Sequence, residues 1–472
     1  MENTRVWQTR RSTTKTKISM DKQLWDRIVA FDFDNPPAEY SFTIRLADEN
    51  HWTKGFTKQA ILEYKKFMYL AATSNGMVSP SKIVDIVWHQ HLIFTQSYDQ
   101  FCEILGKNIQ HIPSTHDKKD FKKFQEAASR TKQLYTKNFG EQPKTIWKND
   151  KMLDSLNLRK AKLGIPTMVF IGIFAFLLLI LPLIDVLEPW YATISGPEFL
   201  KGFIFVSVAA FILLEWFNQV KLKSIIQKAD KHSFLYKLQP AELIYLKTQN
   251  PAKVINGYVD QLVASGTIQV GSDYQMKVKG RKTDGTQEQE TVVANLKDLG
   301  RIHYPTLLQQ LAVKPIFLNT ANTMKALKSY VNKTTKFGTV FYLNFIVLWV
   351  LMMIGTTRIF IGLNREKPVT FIVILSVILV VSSISYLVRL TRLAMTSTIP
   401  NLYRKTVKKN KDLKERWDWN YFLLGDEALN TSFAPVAGYI DKNSNGGTSC
   451  GTSCGSSCGG GGCGGGCGGC GG

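Results

Sequence analysis

Residues 163–184 read LGIPTMVFIGIFAFLLLILPLI, an uncharged run bounded by Lys162 and Asp185. A helix of about 20 apolar residues crosses a hydrocarbon core of about 30 Å, so this stretch is long enough to span a bilayer. Two further uncharged runs have the same character: FGTVFYLNFIVLWVLMMIGTT (337–357) and PVTFIVILSVILVVSSISYLV (368–388). A fourth run, FLKGFIFVSVAAFILLEWFNQV (199–220), contains Lys201 and Glu215. Lys201 can snorkel from one end, and Glu215 lies near the other beside Trp216. Any one such run could be the buried helix of a soluble protein, but three uncharged runs of this length argue for lipid as their solvent. The expected spans are 165–187, 199–219, 337–358 and 368–388.

Lys and Arg close to span ends are retained on the cytoplasmic side. Basic residues precede the first span (Arg159, Lys160, Lys162), follow the second (Lys221, Lys223, Lys228), precede the third (Lys333, Lys336) and follow the fourth (Arg389, Arg392, Arg404). The turn between the first two spans carries Asp185, Glu188 and Glu198 and no base before Lys201. Arg358, Arg365 and Lys367, in the turn between the last two, run against the trend. The balance places both termini and the loop 221–336 in the cytoplasm of a cell whose plasma or inner membrane holds the spans. The first 30 residues lack an apolar core, so no signal peptide is expected.

The region before the spans reads as helical. Ile61, Tyr64, Met68 and Ala71 recur at the spacing of one helical face. Ser79 and Pro80 suit the N-cap and first position of a second helix carrying Ile83, Val84, Val87 and Trp88. Shorter helices are expected up to Gly106 and from about Asp117 to Gly140. Residues 19–145 thus form an all-α domain behind a disordered N-terminus (1–18).

This domain carries four of the seven histidines, His89, His91, His111 and His116, together with Cys102. Imidazole and thiolate are ligands for zinc and other transition metals. On a continuous helix His89 and His91 point about 200° apart, so both reach one ion only if the helix breaks. Asp85 and His89 share a face and suit a carboxylate–imidazole pair. The expectations are therefore a divalent transition-metal site, zinc for example, drawn from Asp85, His89, His91 and His111, or a structural lock in which His89 bonds Asp85 and His91 packs with Trp88.

The segment DIVWHQHLIFTQSYDQFCEILGKNIQH (85–111) resembles the signature of the glycine-rich domain-containing protein-like family, helical modules in which W-H-x-H precedes a Tyr, a Gly and a later His. Asp85, Trp88, His89, His91, Tyr98, Gly106 and His111 occupy the motif positions, and Phe101 and Cys102 depart from it. The resemblance covers about residues 20–140 and implies a helical module, without a reaction.

In the loop 221–336, helices are expected from Pro240 and from Pro251, the latter capped by Asn250, followed by the strands TIQV and YQMKVK joined by GSD, then helices at 303–312 and 315–332. Helix, helix and hairpin make a small winged-helix-like module. Its basic wing, Lys277, Lys279, Arg281 and Lys282, suits DNA or anionic lipid, and beside four spans lipid is the better match, so nucleic acid is not the expected partner. Leu238, Pro240, Glu242, Leu243, Tyr245 and Leu246, then Leu262, Val263, Gly266 and Ile268, with the last two spans and the tail, resemble uncharacterised bacterial membrane proteins with a Cys/Gly-rich C-terminus. That resemblance covers about residues 195–472 and implies scaffolds or modified substrates more than enzymes.

After a basic cytoplasmic segment (389–440), the tail 441–472 places Cys450, Cys454, Cys458, Cys463, Cys467 and Cys470 among Gly and Ser. Without apolar residues it cannot pack around a structural zinc. In the cytoplasm its thiols stay reduced. A plain flexible extension, soft-metal capture, lipid attachment and enzymatic modification all remain readings of it. No Walker loop or H-E-x-x-H occurs. The expected fold class is mainly α, a polytopic four-span membrane protein with an all-α N-terminal domain, a winged-helix-like loop domain and a disordered Gly/Cys tail. The function expected is a membrane-anchored scaffold that contacts lipids and other proteins. The alternative is a metal-dependent membrane enzyme built on the histidines.

Overall fold

The computed structural model describes residues 20–112, 118–280 and 285–438. The tail cysteines, His116, Arg281 and Lys282 lie outside them. The described chain is mainly helical, and four helices are long and apolar enough to cross a membrane: Ile165–Thr193, Gly196–Gln227, Thr335–Asn364 and Thr370–Lys409. Each extends beyond its expected span, because polar residues continue the helix past the apolar run. The first, second and fourth leave large side chains such as Phe170, Leu177, Phe205 and Phe371 exposed. The third is the most enclosed of the four and packs against the others, burying Leu348, Leu351 and Met353.

Polar contacts fix the helix neighbours. The side chains of Asn218 and Asn344 exchange amide hydrogen bonds of 2.9 and 2.7 Å, and Asn218 also donates to Tyr386 at 2.8 Å. Both asparagines are fully buried, so the pair joins the second and third spans where an unpaired amide would be costly. Glu215 takes two 3.0 Å bonds from Arg389 of the fourth helix.

The N-terminal region forms the helices Lys22–Ala30, Phe42–Asn50, Lys54–Thr73, Lys82–Ile93, Thr95–Leu105 and Lys118–Phe139. Caps set three of the starts: Asp21, Thr53 and Ser81 each accept a backbone N–H from the first turn. The helix expected from Pro80 begins two residues later. Ser79 is held at both its N–H and its C=O by the Thr131 hydroxyl, at 2.8 and 3.0 Å, which leaves Ser81 as the cap.

The loop between the second and third spans contains the helices Pro240–Thr248 and Pro251–Ala264 and an antiparallel pair, Ile268–Val270 with Gln275–Val278. A third strand, Ile302–His303, pairs with Gln275 and Met276, and the helix Gln287–Leu299 precedes it. Tyr304–Ala312 and Pro315–Asn332 lead back to the third span. The segment after residue 409 is not merely a basic extension: Tyr421, Phe422, Phe433 and Val436 are buried. One continuous apolar core runs from Leu24 to Ala437, so the N-terminal helices, the loop and the C-terminal helices form one folded unit beside the spans.

Candidate metal centre

Helix Lys82–Ile93 presents two faces at the motif. Asp85 and His89, one turn apart, point outward, while Ile83, Val84, Val87 and His91 are buried. Helix Thr95–Leu105 then ends at Gly106, whose φ of 67° lies in the left-handed region, a conformation that costs glycine little. The chain turns there and returns along the first helix. Tyr98 clamps the return by accepting from the Trp88 indole at 3.2 Å and donating to the Ile109 carbonyl. His111 is thereby laid against Trp88, ring centroids 4.5 Å apart.

This path brings His111 to Asp85. Nε2 of His111 lies 2.9 Å from Oδ1 of Asp85, and Nε2 of His89 lies 3.5 Å from Oδ2. The imidazole centroids are 4.4 Å apart. Ligand atoms of all three residues fall within 4.8 Å of one another. Ligand bonds of about 2.0–2.2 Å set tetrahedral edges of roughly 3.3 Å, so a small contraction lets two nitrogens and one oxygen surround a single ion. Such a set leaves positions open for water or another ligand. Asp85 and His111 also line a cleft of about 540 Å³ with Trp88, Ser81, Lys107 and Phe67. His111 is 15% exposed and His89 59%, so the centre sits at the surface edge of that cleft.

His91 does not join them, which corrects the expected convergence of three imidazoles. It is fully buried, with Nδ1 2.9 Å from the Tyr64 hydroxyl and Nε2 3.2 Å from Ser97. The rings of Phe33, Phe42 and Phe101 surround it. Burial pushes its pKa down to about 3, so the ring is neutral at physiological pH. Both His91 and Trp88 lie against Tyr98, His91 at a ring-centroid distance of 5.2 Å. The half-turn separation of His89 and His91 on an unbroken helix accounts for the split. Cys102 is buried in the same interior as His91 and is not among the three clustered ligands.

A second charged cluster had no local sequence signal. Lys54, at the start of its helix, donates to both oxygens of Glu288 at 2.6 and 2.9 Å. Its backbone N–H donates to Glu242 at 3.0 Å, and Glu242 accepts another N–H from Gln239 at 2.6 Å. Both carboxylates are almost fully buried, but their environments differ. Desolvation raises Glu242 to about 7, against its two N–H donors. Desolvation also opposes ionisation of Glu288, yet the Lys54 ammonium prevails and holds it below the usual carboxylate range.

Residues 41–160 match the family model described as UCP032817-like, a range that contains the whole Asp85–His111 constellation. Over 91 residues the chain is 29% identical to Glycine-rich domain-containing protein 1 of Arabidopsis thaliana, a stretch equal to 18% of this chain and 11% of that protein. The chain thus spans about a tenth of that relative's length. No solved structure matches. Both similarities are regional, and all four membrane-length helices, the loop and the tail lie beyond the range of the family match.

Proposed function

We propose that the protein is a membrane-anchored interaction protein whose cytoplasmic unit holds a divalent transition metal, zinc for example, through Asp85, His89 and His111. The observation that carries this reading is the meeting of three ligand atoms from two separate chain segments at the edge of a cleft. Two imidazoles and a carboxylate suit zinc or a similar ion. Ligation requires neutral imidazoles and an ionised carboxylate, so affinity would fall as the pH drops. The open positions of the ion would face a ligand in the cleft, which leaves room for the alternative of metal-dependent catalysis. Four anchoring helices and the shared folded unit favour presentation over turnover.

The test is elemental analysis of the full chain purified in detergent, with the six tail cysteines replaced by serine so that metal held there is not counted. Stoichiometric zinc that is lost in both His111→Ala and Asp85→Ala is the expected result. Absence of stoichiometric metal after purification in zinc-containing buffer, or retention in both variants, overturns it. Mass spectrometry of the tail from native membranes addresses Cys450, Cys454, Cys458, Cys463, Cys467 and Cys470 separately: six unmodified thiols with no bound metal would leave the tail without a special role.

A further inference from the structure

The first span stands apart from the second and fourth, and the gap between it, the third and the fourth is a groove of about 600 Å³. Its wall is apolar almost throughout, with Ile173, Phe176, Phe345, Trp349 and Ile384 among its residues, and Thr391 as its polar end. Ile165 and Thr391 place that end beside the folded unit. Three chain segments meet there. The Ala161 N–H donates to the Lys333 carbonyl at 2.8 Å, and the Thr335 N–H donates to the Arg159 carbonyl at 2.8 Å. Asn332 donates to the Thr391 carbonyl at 3.2 Å.

The mouth is basic. Arg159, Lys160, Lys162, Lys333, Lys336 and Arg392 are all exposed. Lys328 is half-buried close to Arg392, and desolvation followed by that like charge holds its ammonium below the usual range. Residues 155–184, 299–365 and 367–411 contain neither Asp nor Glu, and the acid just before the first of these, Asp154, faces Tyr330. Among the described residues neither Lys162, Lys336 nor Arg392 forms an ion pair. The neighbouring groove between the second and fourth helices differs, because its own base, Arg389, is neutralised by Glu215.

We infer that this groove is a binding site for an anionic phospholipid of the leaflet facing the folded unit, one acyl chain lying against Phe176, Phe345 and Ile384 and the phosphate held at Lys162, Lys336 and Arg392. An apolar slot that ends in uncompensated cations matches a molecule with an apolar chain and an anionic head. The bases flank the slot's lining in sequence, Lys162 three residues before Ile165 and Arg392 next to Thr391. The inference rests on the membrane placement and is independent of the metal centre.

The full chain in neutral detergent is the test material, with thermal unfolding and native mass spectrometry as readouts. The probes are dioleoyl phosphatidylglycerol, dioleoyl phosphatidylcholine and glycerol phosphate. Phosphatidylglycerol should raise the midpoint and remain bound in the gas phase, phosphatidylcholine should do so only weakly, and glycerol phosphate not at all. Lys162→Gln and Arg392→Gln should each weaken the phosphatidylglycerol effect by about fivefold. Ile384→Trp and, independently, Val380→Phe should fill the slot and abolish it, each variant first shown to unfold cooperatively without added lipid. Equal responses to the two lipids, an equal response to glycerol phosphate, or an undiminished response in both folded slot-filling variants overturns the inference. Recovery of the chain in the soluble fraction before detergent is added would instead refute the membrane placement itself.

Discussion

Glu242 is placed where two helices begin, accepting the N–H of Gln239 ahead of one and of Lys54 at the start of the other. Its folded pKa of about 7 lies above the value of about 4.3 for an unfolded chain. The raised value means that its contribution to stability is fully present below about pH 4.3 and is lost as the pH rises through about 7. Glu288 has the opposite sign: its depressed pKa gives a contribution present above about 4.3 and lost as the pH falls through the folded value. Thermal unfolding of Glu242→Gln across about pH 2–8 should therefore lose the decline between about 4.3 and 7 and keep the acid-side decline below about 4.3, at a cost of about 1 kcal/mol for one weakened capping bond. A wild-type slope retained in the variant would remove Glu242 as its source. The divergence of His89 from His91 was legible from helical geometry, because 3.6 residues per turn fixes it. The Lys54–Glu288 pair was not, since nothing local to either residue specifies a partner far away in sequence.

Elements were most legible where composition alone decides them. The three uncharged runs and the proline-led helices from Pro240 and Pro251 occur where the sequence places them. Helix Gln287–Leu299 escaped notice because its sequence, QEQETVVANLKDL, has a narrow apolar stripe and buries only Val292 and Leu296 among its apolar residues. Arg358, which ran against the charge bias, has a local task. Its guanidinium donates to the carbonyls of Tyr191 and Ile194 and lies 4.9 Å from the Phe199 ring centre. It thus closes the C-terminal end of the first span, where a cation is favoured. The same two helices approach closely at Gly172, where an added Cβ would stand 2.3 Å from the Phe345 ring and where Trp349 donates to the Gly172 carbonyl at 2.8 Å. Gly172→Leu should destabilise the detergent-solubilised protein by about 1–3 kcal/mol through overpacking, and adding Phe345→Ala should recover part of that loss. A neutral Gly172→Leu would show that the first span does not pack there.

At the scale of the whole molecule, alternation along the chain puts the folded unit at one end of the four membrane-length helices and two short connections at the other. If the basic end is cytoplasmic, a Gly196→Cys substitution, at a site with open space around it, should react with an impermeant maleimide in intact cells, whereas a Lys228→Cys substitution should react only after permeabilisation. The reverse pattern would invert the orientation. The sequence divides the part outside the membrane-length helices into separate domains because those helices interrupt it, but apolar burial does not respect the interruptions. Trp52 of the N-terminal region and Phe433 beyond the last span are both buried in one core, and Phe433 packs on Tyr304 of the loop at 5.0 Å. A shared core unfolds as a unit. Trp52→Ala and Phe433→Ala should each cost about 3–5 kcal/mol and should lower the same calorimetric transition, although they lie near opposite ends of the described chain. Two transitions, with each substitution moving only its own, would mean that the N-terminal helices fold independently and that the Lys54–Glu288–Glu242 contacts are a docking surface between domains rather than part of one interior.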